Sequence, residues 1–113
     1  MASAIYRACF AAIQQKHKIA FTVEGRQREA YPHVLGHSDG REKLFVFQTA
    51  GHSKGGRLPG WRCFHVAEIQ LLTATEGGWR TGDRHTQRQS CVKDVDIDVN
   101  PKAKQRYVWP ERS

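Results

Sequence analysis

Cations, glycines and an aromatic ring crowd into one stretch of this chain, Gly51 to Arg62, and these are residue types that hold anions. Ser53, Lys54 and Arg57 lie among Gly51, Gly55, Gly56 and Gly60, so backbone amides can approach a ligand closely while two cations face it. Trp61 and Arg62 follow directly. A tryptophan beside a guanidinium can stack on a nucleobase, worth roughly 1–3 kcal/mol per base, while the cation holds a phosphate. Phe45 and Phe47 are placed to extend such a surface, although aromatic residues on strands serve core packing more often than recognition. Upstream, Arg28 carries a planar fork that grips phosphate or carboxylate with two parallel hydrogen bonds. His33 lies on the same extended run and completes the candidate ligand-binding set: Arg28, His33, Ser53, Lys54, Arg57, Trp61 and Arg62.

Other chemistries find less support in the residues. The glycine-rich stretch is not a Walker loop, which needs GxxxxGK followed by Ser or Thr, and no dinucleotide-binding glycine signature occurs. Six histidines and three cysteines raise the question of a metal, but the closest pair, Cys63-x-His65, lacks the repeated tight spacing of zinc sites, so neither metal nor other cofactor is expected. Asp94-x-Asp96-x-Asp98 alternates with Val95, Ile97 and Val99 and lacks the glycine and terminal glutamate of a calcium loop. It reads as an amphipathic strand. No nucleophile beside a base and an orienting group can be named, so no catalytic residue is assigned and the chain is not expected to be an enzyme.

These residues must be positioned by a small scaffold. At 113 residues, with 39% hydrophobic and 26% charged residues, the chain has material for one core and too little for two. A single domain over 1–100 followed by a basic tail at 101–113 is the expected organisation. Ser3 is a candidate N-cap, and Ile5, Cys9 and Ile13 recur four apart beside Tyr6 and Phe10, which predicts an amphipathic helix to about Gln15. From Lys18 the period becomes two. Ile19, Phe21 and Val23 form a half-buried strand ending at a Gly25-Arg26 turn. A run from Gln27 to Leu35 contains Pro32, which marks an edge, bulge or bend. After Ser38-Asp39-Gly40 turns the chain, Glu42 to Gln48 is apolar on both faces and predicts a central strand. Gly51–Gly60 reads as a long hairpin loop, and Trp61–Val66 and Glu68–Ala74 as one sharply bent ribbon. Residues from Arg80 to Gln89 read as a surface loop, and 94–99 as a last edge strand. The fold class is therefore mainly β, with an N-terminal amphipathic helix, a strongly bent five-stranded antiparallel barrel and an additional C-terminal strand.

Several of these segments resemble the WYL domain of bacterial transcription regulators and defence-associated proteins, whose core is a small Sm-like barrel. The similar positions are Ile19-x-Phe21 with Gly25, then Arg28-x-Ala30-x-Pro32, then Lys43-Leu44-Phe45-Val46 where the family's Trp-Tyr-Leu triplet would stand. Phe64-His65-Val66-Ala67-Glu68-Ile69 is similar to the segment usually written Phe-Arg-Leu-Asp-Arg-Ile. Here His65 and Glu68 replace arginines, and the triplet's tyrosine hydroxyl is missing. The resemblance covers about half the chain and implies a free-standing regulatory domain that senses a ligand or nucleic acid through Arg28.

The net charge of +7 supports an anionic partner, nucleic acid or nucleotide, by long-range attraction. The alternative is a protein-interaction or self-assembly module, a homo-oligomer built through barrel edge strands, with His37 or Phe47 facing a neighbour. No apolar run approaches the roughly 20 residues of a membrane span. The N-terminal segment lacks the pattern of a signal peptide, and three widely spaced cysteines fit free thiols, so a cytoplasmic location is expected.

Overall fold

A computed structural model describes residues 2–53, 56–76, 78–82 and 89–99. The tail beyond Val99, with Tyr107 to Trp109, lies outside the described residues. Helix α1 (Ala4–Gln15) begins at Ser3, whose Oγ accepts the Tyr6 N–H at 3.1 Å. The same hydroxyl donates to Glu42 at 2.7 Å, which ties the cap to the sheet. The helix stops at Lys16, in the left-handed conformation that ends helices by capping their last carbonyls. Its stripe of Tyr6, Cys9, Ala12 and Ile13 is buried.

The strands are β1 (Lys18–Val23), β2 (Arg26–Ser38), β3 (Arg41–Gly51), β4 (Gly60–His65), β5 (Ile69–Thr75) and β6 (Asp94–Asp98). They form one antiparallel sheet in the order β4-β3-β2-β1-β5, with β6 added to β2. Two hairpins are set by two-residue turns, Glu24-Gly25 and Asp39-Gly40, with positive φ at all four residues. That geometry matches strand twist and favours Gly at the second place. The first turn falls one residue earlier than expected, so Arg26 opens β2.

Strand β2 is the longest, and it changes partner along one side. Residues 26–30 pair with β1 and residues 34–37 with β6, while β3 runs along the other side. Pro32, which has no N–H to donate, sits in the gap between the two partners, beside a bulge at Pro32/Val34. A bulge in β5 pushes Leu71 outward at φ 53 and 80% exposure, while Leu72 packs against the core.

The sheet curls around Ile19, Phe21, Val23, Ala30, Leu35, Leu44, Val46, Phe64, Val66 and Ile69, and α1 covers this interior. A 3-10 turn (Val66–Glu68) carries the chain from β4 to β5, the two ends of the sheet path. The expected bend is present there. Among the described residues no ladder joins β4 to β5, so the sheet is curled but not a closed barrel.

Gly36 is where β6 approaches most closely: a Cβ there would overlap the Asp94 carbonyl oxygen and lie 2.7 Å from Val92 Cγ1. Gly36→Ala should therefore loosen β6 from β2 and cost about 1–3 kcal/mol, the range of other overpacking changes. Urea unfolding together with amide exchange over residues 94–98 measures this. Unchanged protection in β6 would contradict the close approach.

Candidate functional site

Two buried polar side chains face the sheet interior where β1, β2 and β3 meet the root of the glycine-rich loop. Arg28 is the Cα partner of Phe21 on one side and of Gly51 on the other, and it is 4% exposed. Its guanidinium lies over the Phe64 ring, 5.2 Å from the centroid. Nε and Nη2 are both buried and have no hydrogen-bond partner. They are the two parallel donors on one edge of the fork, the edge that takes two oxygens of an oxyanion.

Gln48, fully buried, stands diagonally from Arg28 on the same face, since its Cα partner is Ala30. Its Nε2 donates to the carbonyls of Ala50 (3.2 Å) and His52 (2.7 Å), which flank Gly51. The carboxamide therefore lies beside Gly51, the Cα partner of Arg28. Gly51 adopts φ +90, and a Cβ there would overlap the Gln27 carbonyl and come 2.7 Å from Arg28 Cα. Only glycine lets the strands approach this closely. Two donations fix the amide's orientation, so Oε1 is the atom left over, and it too is buried without a partner. Leaving such atoms unsatisfied costs about 1–3 kcal/mol each.

The loop itself is organised by Arg62. Its Nε donates to Ser53 Oγ at 2.9 Å, Nη1 to the Trp61 carbonyl at 2.7 Å, and Nη2 to the carbonyls of Arg57 at 3.0 Å and Gly56 at 3.4 Å. Arg62 and Ser53 thus clamp the loop, although the residue types alone place them on a phosphate. Arg57 contributes its carbonyl and keeps an exposed side chain. Lys54 lies outside the described residues.

Trp61 and His33 occupy the opposite, outer face. Trp61 stacks on Phe45 at 4.8 Å and an interplanar angle of 6°, with His33 and Phe47 edge-on to it. The aromatic surface expected from sequence exists, but the segment around 78–82 crosses it. Trp79 packs against Tyr31 and His33, Arg80 lies over Phe47, and a Cβ on Gly82 would collide with Trp61 and Phe47. His33 is buried. With Nδ1 2.7 Å from the Tyr31 carbonyl and Nε2 accepting the Gly82 N–H at 3.1 Å, its ring is the neutral Nδ1–H tautomer. The expected single cluster is therefore divided: Arg28 and the Ser53–Arg62 clamp lie at the loop end of the interior, and Trp61 and His33 lie behind the sheet.

The expectation of three free thiols is corrected. Cys63 of β4 and Cys91 form a disulfide, because Trp61 and Cys63 share the outer face and Cys91 returns across it with Val92 against Val34 and Phe45. This pairing removes the cysteine argument for a reducing compartment, and it takes Cys63 out of any Cys63-x-His65 metal pair. Residues 80–89, read from sequence as a surface loop, include buried Gly82 and Gln89 at its described ends. Gln89 Oε1 accepts the N–H groups of Cys91 and Val92, both at 2.8 Å, which holds the return in shape.

A separate network joins α1 to β6. The Tyr6 hydroxyl donates to Asp96, which also pairs with His37 at 3.4 Å. Burial and then the Asp96 hydrogen bond push the Tyr6 phenol above its ordinary range. This fixes the helix rather than a ligand. Among the described residues no group of three His, Cys, Asp or Glu is arranged to hold a metal ion, and no helix is long and apolar enough to cross a membrane.

Cys9 is the free thiol, and burial pushes it up to about 12, so it carries little thiolate at neutral pH. A thiol titration of the native protein should find almost none reacting, one after unfolding without reductant, and three after reduction. Three thiols in the unreduced unfolded chain would remove the disulfide. Comparison with protein-family models, with curated proteins and with solved structures finds no match to this chain, so the chemistry of the site rests on its own geometry.

Proposed function

We propose that this chain is a non-enzymatic receptor domain for an anionic ligand, recognised by the Nε/Nη2 edge of Arg28. One observation carries the reading: a guanidinium enclosed by the sheet, with two parallel donors and no partner for either. A buried guanidinium with two unmet donors is among the costlier features a small domain can keep, and an oxyanion is the group that satisfies this edge. The net charge of +7 assists by drawing anions, including nucleic acid, toward the surface. The WYL resemblance, which also runs through Arg28, points to a ligand-sensing or nucleic-acid-binding regulator.

Enclosure of the edge favours a small anion, a nucleotide phosphate or the terminal group of a larger molecule over the continuous backbone of a polymer. An oligonucleotide would engage mainly exposed cations such as Arg57, with a steep loss of affinity as salt rises. The assembly alternative has its own support in β5, which exposes Leu71 and most of its other side chains. Light scattering across concentration separates it from ligand binding.

Thermal unfolding of salt-free protein with added inorganic phosphate tests the proposal. A ligand at a hundred times its Kd stabilises by about 2.7 kcal/mol. Wild type should gain stability with phosphate and Arg28→Met should not. In the absence of phosphate, Arg28→Met should be as stable as wild type or more so, because it removes two buried unmet donors on a charged group and keeps an apolar side chain against Phe64. Equal phosphate stabilisation of both proteins, or a large loss of stability in Arg28→Met without phosphate, would overturn the assignment.

A further inference from the structure

The unpartnered acceptor beside Arg28 narrows the ligand's chemistry. We propose that the site selects oxyanions that carry their own hydrogen-bond donor, a protonated phosphate oxygen or a hydroxyl adjoining a carboxylate, over oxyanions that can only accept; this rests on the anion-receptor reading of Arg28. Three buried atoms on the interior side of the paired strands β2 and β3 stand without partners: Arg28 Nε, Arg28 Nη2 and Gln48 Oε1. The first two are donors and call for two acceptor oxygens. The third is an acceptor and calls for a donor.

Gln48 cannot turn to relieve this mismatch. Rotating its carboxamide would place Oε1 against the Ala50 and His52 carbonyls, replacing two hydrogen bonds by two repulsive oxygen pairs. Nor does the Arg28 edge satisfy Oε1, because neither of its buried donors has a partner. A ligand that fills the place must therefore present both polarities. Hydrogen phosphate does so: two oxygens accept from the guanidinium edge and its P–O–H donates to Oε1. Sulfate has no proton at neutral pH, so its oxygen would face the lone pairs of Oε1. An α-hydroxy carboxylate matches as well, with the carboxylate on Arg28 and the hydroxyl on Gln48, whereas a simple carboxylate leaves Oε1 unmet. Enclosure amplifies the difference, because no bulk water is at hand to solvate an unmet acceptor.

The test compares two ligand pairs on the unaltered protein at matched ionic strength by calorimetric titration: inorganic phosphate against sulfate, and glycolate against acetate. Leaving one buried acceptor unmet should weaken binding on the order of ten- to a hundredfold. Phosphate should therefore exceed sulfate by that factor, or glycolate exceed acetate, and the pair that discriminates more strongly identifies the source of the donor. Gln48→Met should erase the discrimination while Arg28 still binds both members of a pair. Equal affinity within both pairs in wild type would overturn this inference and leave the Arg28 reading standing. If none of the four anions binds, both fall together, and an internal water is what satisfies the three atoms.

Discussion

Strand β2 is the member on which the rest of the sheet depends. It pairs with β3 along one side and divides its other side between β1 and β6, so four of the six strands are related through it. Pro32 enforces the division. A residue with an N–H there would offer a donor where neither neighbour reaches, whereas proline leaves nothing to satisfy. On the β1 side of this break lies Arg28. On the β6 side, Gly36 admits β6 and Val34 packs with the returning Cys91–Val92 segment.

The interior of a curled sheet this small is mostly aliphatic and aromatic, which makes its polar intrusions informative. Arg28 and Gln48 occupy positions that Leu or Met would fill at less cost. Their placement is local and deliberate in geometric terms: Gly51 removes a side chain at the one point where the carboxamide, the strand crossing and the guanidinium root must coexist. The clamp formed by Arg62 and Ser53 then shapes the connection that begins beside them.

Much of the scaffold was legible in the residues. Ser3 as cap, the helical stripe of Ile5, Cys9 and Ile13 beside Tyr6 and Phe10, the alternation Ile19-Phe21-Val23 and the Asp39-Gly40 turn each act through local physics and appear where expected, with Ile5 and Phe10 at the partly buried margin of the stripe. Relations between distant segments were less accessible. That Trp61 and Arg28 project to opposite faces depends on ladder register across three strands, and a glycine-rich loop next to both gives no indication of it. The disulfide depends on a return path 28 residues later in the chain. Gln48, a lone glutamine at the end of an apolar run, belongs to no motif; only its burial and the register opposite Ala30 give it meaning. Arg62 by residue type suits a phosphate, and geometry directs its donors to its own loop. The short bent strands predict a barrel, whereas the sheet path ends at β4 and β5 without a ladder between them among the described residues.

The covalent tie between Cys63 and Cys91 has a mechanical consequence. It bridges the β4 margin to the segment feeding β6, passing over the outer side of β3. A tensile load applied through β6 is transmitted to β4 by a bond rather than by a row of hydrogen bonds, so these strands resist being peeled apart one at a time. The β1–β5 ribbon has no such fastening among the described residues. Under pulling, that ribbon is the part expected to yield first.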